Sequence, residues 1–354
     1  MRIPALNSFP HLIRTTIILG SLLITGATAK AQVGFNFTLN GSVPQNVIDG
    51  FNEAGSLWSS LITTPVTLEI TIGFQSLGGS ILGSASSSRF FVSYSSYRSS
   101  LANSSTSSFD TTALANLPDA ASFDVSYNYL KSGGTAASAT PTAGSTNRII
   151  ANQSLLRALG IAAPYVNPDA IITFSSDFSF DFDRSDGITA GQFDFVGVAA
   201  HEIGHALGFN SITTAIDSVA LTNPLDAANV DPTALDLFRF SANGVRDISV
   251  GTAAFFSIDD GLTSIGALST GVKTGDGRQG SHWLDNTGLG LMDPTLSAGE
   301  LGTISENDLK ALDVIGWSVG QFSAVPEPSA TTTILGLVAF FLVGRRRNVR
   351  RNSS

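Results

Sequence analysis

The sequence predicts an α+β domain with helices packed on a mixed, twisted β-sheet. Three patterns support this class. Apolar residues recur at helical spacing over 42–62, apolar and polar residues alternate over 66–74, and a second strand pattern, DAIITFSS, occupies 169–176. Helix and strand patterns therefore alternate along the first half of the chain.

The first predicted helix covers 42–62, with Ser42 as its N-cap and Pro44 in its first turn. Pro65 is expected to end the helix, because proline cannot continue it. The following segment, VTLEITIGF at 66–74, alternates apolar residues with Thr and Glu. This alternation predicts a strand with one buried face.

Residues 76–147 are rich in Ser, Gly, Thr and Ala, and we expect mainly loops and edge elements there. RFFVSY at 89–94 is the exception and predicts a strand. A second helix is predicted over 149–159, ending at Gly160.

VAAHEIGHALGFNS, at 198–211, predicts a third helix that begins at Asp194, whose carboxylate can accept hydrogen bonds from the first turn. Its predicted core face consists of Phe195, Val196, Ala199, Ile203, Ala206 and Leu207. His201, Glu202 and His205 lie on the opposite face.

Residues 209–281 are predicted to be rich in loops, with short strands in LDLFRFS and AAFFSI. A last helix is expected in ISENDLKALDVIGW. Ser305 and Asp308 form a capping box at its start, and Gly316 stops it.

His201 and His205 are four residues apart, so on a helix both imidazoles can reach one zinc ion. Zinc lowers the pKa of a bound water and polarises a carbonyl group, and Glu202 is placed to accept the proton of that water. The pattern thus indicates hydrolysis of a peptide bond. A bare His-Glu-x-x-His also occurs in ordinary helices, which is the alternative interpretation.

A zinc site of this kind needs a third ligand. In the commonest extended motif a histidine stands at the position that Ser211 occupies here. His282 is the one remaining histidine outside the N-terminal leader. Glu300 and Asp217 are competing ligands, and His282 could instead be a surface residue.

Three segments carry a resemblance to a known family: HEIGHALGF at 201–209, SHW at 281–283 and GLMDP at 290–294. Their order and spacing resemble the metzincin zinc endopeptidases, and most closely the leishmanolysin-like branch. In that branch the third histidine belongs to a distant His-Trp pair, shortly before the methionine of the Met-turn. The resemblance covers mainly 194–210 and 280–317.

The resemblance implies that His282 is the third zinc ligand and that Glu202 is the catalytic base. It also implies a hydrophobic floor at Met292 beneath the metal and a sharp turn at Gly208 after the helix. The chain departs from the leishmanolysin type in having no cysteine. A latency switch based on cysteine is therefore excluded.

The implied fold is a metzincin-like zincin fold, with an upper subdomain at about 32–208 and a lower one at about 209–320. The upper part would hold the mixed sheet and the active-site helix. The lower part would be rich in loops and hold the Met-turn and the C-terminal helix. Substrate would lie extended along an edge strand in the cleft between them.

DFDRSDG, at 181–187, is a weaker signal. Asp181, Asp183 and Asp186 precede Gly187 and suggest a calcium site, although the spacing differs from an EF-hand loop. A solvated acidic loop is the alternative interpretation.

The two ends of the chain predict export. Residues 1–31 resemble a signal peptide, with arginines before a short apolar run and Ala-x-Ala patterns at its end. Residues 321–354 resemble the PEP-CTERM sorting signal of Gram-negative bacteria: Val-Pro-Glu-Pro, an apolar segment at about 330–344 and an arginine cluster. This resemblance implies cleavage by an exosortase; a plain C-terminal membrane anchor is the alternative.

Between these ends the chain has 11 basic and 27 acidic residues, a net charge of about −16. Such a charge repels nucleic acid and anionic lipid. It suits a solvated, secreted protein. Membrane contact is expected only through the C-terminal segment.

These patterns together predict an exported zinc endopeptidase at the cell surface or outside the cell. Its expected partners are protein or peptide substrates, signal peptidase and an exosortase-type enzyme, and we expect a monomer. Two other hypotheses are a non-catalytic surface or matrix protein that retains the fold, and a zinc hydrolase of non-peptide amides.

Overall fold

A four-stranded mixed sheet and the two long helices packed on it organise the molecule. The computed structural model describes residues 32–128, 141–219 and 231–320. Its strands are β1 (Gly34–Asn40), β2 (Thr67–Gln75), β3 (Gly83–Ser87), β4 (Arg89–Ser93), β5 (Phe123–Asn128), β6 (Pro141–Thr146), β7 (Arg148–Asn152), β8 (Ala170–Ser175), β9 (Phe180–Asp181), β10 (Phe193–Asp194), β11 (Arg239–Ala242), β12 (Val245–Arg246), β13 (Ala254–Phe256) and β14 (Gly266–Leu268). Its helices are α1 (Gln45–Leu61), α2 (Tyr94–Ser104), α3 (Ser108–Asn116), α4 (Gln153–Ala158), α5 (Phe195–Leu207), α6 (Thr213–Val219) and α7 (Glu306–Val314), with a 3₁₀ helix at Leu235–Phe238. The predicted α+β class is confirmed.

The main sheet has the strand order β1-β2-β8-β3. The first three strands are parallel, and β3 pairs with β8 in the antiparallel direction. The alternation predicted over 66–74 is confirmed, because Leu68, Ile70 and Ile72 are fully buried. β3 stands at one end of the order, so β8 is its one partner in this sheet.

Aromatic rings join the sheet to helices α1 and α5. The Phe51 ring of α1 lies 5.2 Å from Phe174 of β8 and 5.6 Å from Phe195 of α5, in edge-to-face geometry. Trp58 Nε1 donates a hydrogen bond of 2.9 Å to Ala200 O in the middle of α5. The motif helix is thereby packed against both α1 and the sheet.

Both predicted starts of the later helices are confirmed. The Asp194 carboxylate accepts from Gly197 N at the start of α5. Ser305 and Asp308 form a reciprocal capping box at the start of α7. Ser42 is not a cap, which corrects the prediction for α1: Pro44, in extended conformation, is the N-cap, and no side chain caps this end.

The largest departure from the predictions lies within 76–147. The strand in RFFVSY is present as β4, but two helices, α2 and α3, occupy part of the expected loop region. Ser93 and Ser107 accept hydrogen bonds from the first turns of these helices. Serine-rich sequence therefore supplies helix caps here.

Two other predicted elements begin differently. The segment predicted as a helix over 149–159 starts as β7, which pairs with β4, and becomes helical only in α4. LDLFRFS starts as the 3₁₀ helix and continues as β11. In the first segment, pairing with β4 outweighs the local helical preference.

The signal peptide and the C-terminal sorting segment lie outside the described residues. Within the described ranges, no helix has the length and apolar character needed to cross a membrane. The division into upper and lower subdomains stays a prediction.

The packing of α7 on α3 generates a prediction about pH. Burial raises the pKa of Asp313 to about 6, although Ser107 Oγ donates to its carboxylate at 2.5 Å. An unfolded aspartate has a pKa of about 3.9. The folded state therefore binds the proton more tightly, and the free energy of unfolding falls as the pH rises from about 4 to about 6.

Asp313→Asn should raise the free energy of unfolding by about 1–3 kcal/mol at pH 8, with no gain at pH 4. Urea denaturation at the two pH values measures this difference. The exposed Asp124 provides the control variant Asp124→Asn, which should show no such dependence. An equal gain for Asp313→Asn at both pH values would contradict the prediction.

Candidate metal centre

Three histidines from two distant segments meet at one point. His201 and His205 are on α5, and His282 is in the segment that follows β14. His282 Nε2 lies 3.1 Å from His201 Nε2 and 3.1 Å from His205 Nε2. Among the described residues these three side chains are the one group of His, Cys, Asp or Glu arranged to hold a metal ion.

The hydrogen bond of Nδ1 decides which nitrogen of each ring carries the proton. His201 Nδ1 lies 2.8 Å from Leu291 O, His205 Nδ1 lies 2.7 Å from Phe209 O, and His282 Nδ1 lies 3.1 Å from Gln279 O. A carbonyl oxygen only accepts hydrogen bonds, so each Nδ1 carries the proton and donates it. Each neutral ring then presents the lone pair of Nε2 to the centre.

Three lone pairs directed at one point repel one another unless a cation lies between them. Three nitrogens bound to a tetrahedral zinc at 2.0–2.1 Å would stand about 3.3 Å apart. The two nitrogen–nitrogen distances of 3.1 Å are close to that value. The residues therefore fit a divalent metal, and their carbonyl partners are of the kind that orients metal-binding histidines.

Burial keeps all three rings neutral. It lowers the pKa of His201, lowers the pKa of His205 to about 3 and lowers the pKa of His282 well below its ordinary value. Repulsion between the rings adds to the effect at His205 and His282. Neutral imidazole is the form that binds a metal, so the site is prepared for one.

Glu202 lies next to the first histidine on α5 and is 7% exposed. Burial alone raises the pKa of its carboxyl to about 8. A cation close by would favour the charged form and lower that pKa again. A β-carbon added at Gly83 of β3 would lie 3.1 Å from Glu202 Oε1, so the edge strand passes directly beside this carboxylate.

The end of α5 is fixed by several groups. Gly208 adopts a φ of +120°, which suits the sharp turn expected at this position. Asn152 Nδ2 donates to both His205 O and Ala206 O. Trp317 Nε1 donates to Leu207 O at 2.7 Å. Carbonyl groups at the helix end, which have no partner within the helix, are thereby satisfied.

Met292 is fully buried and lies against α5 between the two helical histidines. A β-carbon at Gly204 would collide with Met292 Sδ, so only glycine permits this close packing. The role of Met292 as a hydrophobic floor beneath a metal stays a prediction.

Asp308 connects the segments that supply the site. Its carboxylate accepts from Trp283 Nε1 at 2.8 Å, from Leu291 N at 2.7 Å and from Met292 N at 3.2 Å. It also accepts from Ser305 N at 2.7 Å. One fully buried carboxylate therefore holds the residue after His282 and the residue whose carbonyl orients His201.

The competing ligands lie elsewhere. The Asp217 carboxylate accepts from Val272 N, Lys273 N and Thr274 Oγ1, and so holds the loop at 272–274. Glu300 accepts from Ser297 N, three residues before it. Neither belongs to the metal-binding group found among the described residues.

The three aspartates of 181–187 do not form a group of ligands in the described structure. The Asp181 carboxylate accepts from Asp183 N and Thr189 N, which occupies both of its oxygens. Arg184 of the same loop pairs with Asp194, the N-cap of α5, at 3.0 Å. The calcium prediction gains no support, and Asp186 has no assigned role.

The sequence predicted that His201, His205 and His282 act together, and the structure brings them together. Several supporting residues were not predicted: Gly83, Asn152, Gly204 and the second role of Asp308. Gly204 stands inside the His-Glu-x-x-His motif, so a glycine in a helix interior was the available signal. The other three carry no local signal, because their partners are distant in sequence.

Asp308→Asn should lower the free energy of unfolding by about 2–4 kcal/mol, because an amide places a donor against buried N–H groups. Urea denaturation followed by tryptophan fluorescence measures the change, and Trp283 reports it locally. Glu306→Gln is the matched control: Glu306 is in the same helical turn but exposed and paired with Lys310, so its replacement should cost at most about 0.5 kcal/mol. Equal costs for the two variants would contradict the connecting role of Asp308.

We compared the chain with protein-family models, with curated proteins and with solved structures, and none of them matches it.

Proposed function

We propose that this protein is a zinc-dependent endopeptidase of the metzincin type. The observation that carries the proposal is the convergence of three neutral imidazoles beside the buried carboxylate of Glu202. A single cation would satisfy the three imidazoles, and the Glu202 carboxylate has no hydrogen-bond partner among the described residues. An ordinary helix with two satisfied histidines would need neither feature.

His201, His205 and His282 would hold the metal, and a fourth position would remain open. When bound, zinc supplies polarisation of the scissile carbonyl and lowers the pKa of a water molecule. Glu202 accepts a proton from the attacking water and donates it to the leaving amine. Its burial excludes bulk water, which strengthens its interaction with charge that develops nearby.

Strand β3 supports a peptide as substrate. Among the described residues its one strand partner is β8, so its other edge has backbone N–H and C=O groups that pair with no described strand. An extended peptide can add to such an edge by main-chain hydrogen bonds. Because Gly83 of this strand lies beside Glu202, a peptide aligned there would place a main-chain carbonyl near the base and the metal.

Glu202→Gln should retain one zinc ion per chain and lower kcat on an unfolded casein-type substrate by about 10²- to 10⁴-fold. His282→Ala should lose the zinc as well as the activity, since two ligands remain. Metal analysis of the purified proteins and a fluorescent-casein assay measure both results. Glu53→Gln, an exposed residue on α1, is the control and should behave as the original protein.

Normal cleavage by Glu202→Gln would contradict the role of the base. Stable zinc without cleavage of casein or of small amides would favour the non-catalytic surface protein. Cleavage of small amides alone would favour the non-peptide hydrolase.

We further propose that the protein is exported and processed at both ends, a proposal that depends on the sequence of 1–31 and 321–354. Mass spectrometry of protein recovered outside the cells of a Gram-negative host with an exosortase should show loss of both segments. Changing Pro326-Glu327-Pro328 to three alanines should leave the C-terminal segment attached. Recovery of the intact chain from both forms would overturn the sorting proposal.

A further inference from the structure

Residues 212–280 join helix α5 to the segment of His282, and we call them the insertion. The two residues that flank the insertion contact each other directly. Ser211 N donates to Ser281 Oγ at 2.9 Å, and Ser281 Oγ lies 3.4 Å from Ser211 O. Both residues are buried. The insertion therefore begins after Ser211, the position at which the commonest extended motif has its third histidine. It ends before Ser281, the residue that precedes His282.

Asp236, within the insertion, closes this contact from the other side. Ser211 Oγ donates to Asp236 Oδ1 at 2.5 Å. Asp236 Oδ2 accepts from Ile212 N at 2.9 Å and from Thr233 N at 2.8 Å. The carboxylate is almost fully buried, so these bonds fix the start of the insertion in one conformation.

The main chain of His282 is also held on its opposite side. Ser269 N donates to His282 O at 3.0 Å, and Ser269 Oγ donates to Trp283 O at 2.7 Å. With Ser281 held by Ser211, the backbone is fixed before and after the imidazole. Its remaining freedom is rotation of the side chain, which the bond from Nδ1 to Gln279 O restricts.

We propose that Ser211, Asp236 and Ser281 are positioning residues that present His282 to the metal, and we call these three residues the serine clamp. The inference rests on the metal centre of the proposed function and deepens it. Position 211 supplies no ligand here; it holds the segment that does. Metal–nitrogen distances tolerate deviations of about 0.2 Å, so a ligand that arrives after a long insertion needs such fixation.

The test is the zinc affinity of the full-length chain, measured by competition with a chromophoric chelator. Ser281→Ala should weaken zinc binding by about 10- to 100-fold, the loss typical of residues that orient a ligand. Asp236→Asn should weaken it at least as much. Ser281→Ala removes one hydroxyl from a small residue and is therefore the variant expected to fold normally.

Ser249→Ala is the matched control. Ser249 is a buried serine of the same insertion, and its Oγ has no hydrogen-bond partner among the described residues. Its replacement should leave zinc affinity unchanged. Urea denaturation of the metal-free proteins measures stability separately from zinc affinity. A positioning role requires that Ser281→Ala lowers the zinc affinity; a loss of stability with unchanged zinc affinity would indicate a structural role.

The visible spectrum of bound Co²⁺ gives a second readout, because its intensity depends on coordination geometry. Ser281→Ala should alter this spectrum, and Ser249→Ala should not.

If the original protein binds zinc and Ser281→Ala binds it equally well, the serine clamp is wrong and the proposed function stands. If Ser281→Ala loses affinity but the original protein cleaves no substrate, the clamp stands and the proposed activity is wrong. Absence of zinc binding by the original protein would overturn both.

Discussion

The orientation of three imidazole lone pairs is the constraint on which the centre depends. Each ring donates from Nδ1 to a main-chain carbonyl, and each carbonyl belongs to a segment that other contacts hold in place. The rings therefore cannot turn away to relieve their mutual repulsion. A cation between the three Nε2 atoms would stabilise this buried, uncharged arrangement.

Two parts of the fold hold the segments that carry the three histidines. The sheet and α1 fix helix α5 through aromatic packing and the bond from Trp58 to Ala200, which sets the positions of His201 and His205. The capping box of α7 fixes the other half, because Asp308 accepts from Trp283 Nε1 and from the backbone N–H groups of Leu291 and Met292. A helix cap, usually a local device, thus connects parts of the chain that are distant in sequence.

The fold separates the Glu202 carboxylate from the three histidines. It stands beside His201 in sequence, yet its side chain lies against the edge strand β3 and not within the histidine cluster. Gly83 provides the room for this approach, since a β-carbon there would contact the carboxylate. The region between the two ends of the chain has a net charge of about −16. In the centre, by contrast, burial keeps the three imidazoles uncharged.

The sequence by itself determined the α+β class, the strands at 67–75 and 170–175, the caps at Asp194 and Ser305, and the residues His201, Glu202 and His205. Each of these depends on neighbours within one or two turns, where hydrophobic periodicity and capping act. The sequence also left one histidine, His282, for the third position. Only the tertiary structure decided that it arrives there, that α2 and α3 replace expected loops, and that Asp308 and Ser211 support the site. Contacts between residues 17 to 81 positions apart produce the results at His282, Ser211 and Asp308, and no local pattern encodes them. The caps of α2 and α3, Ser93 and Ser107, are local, but serine-rich sequence is equally typical of loops.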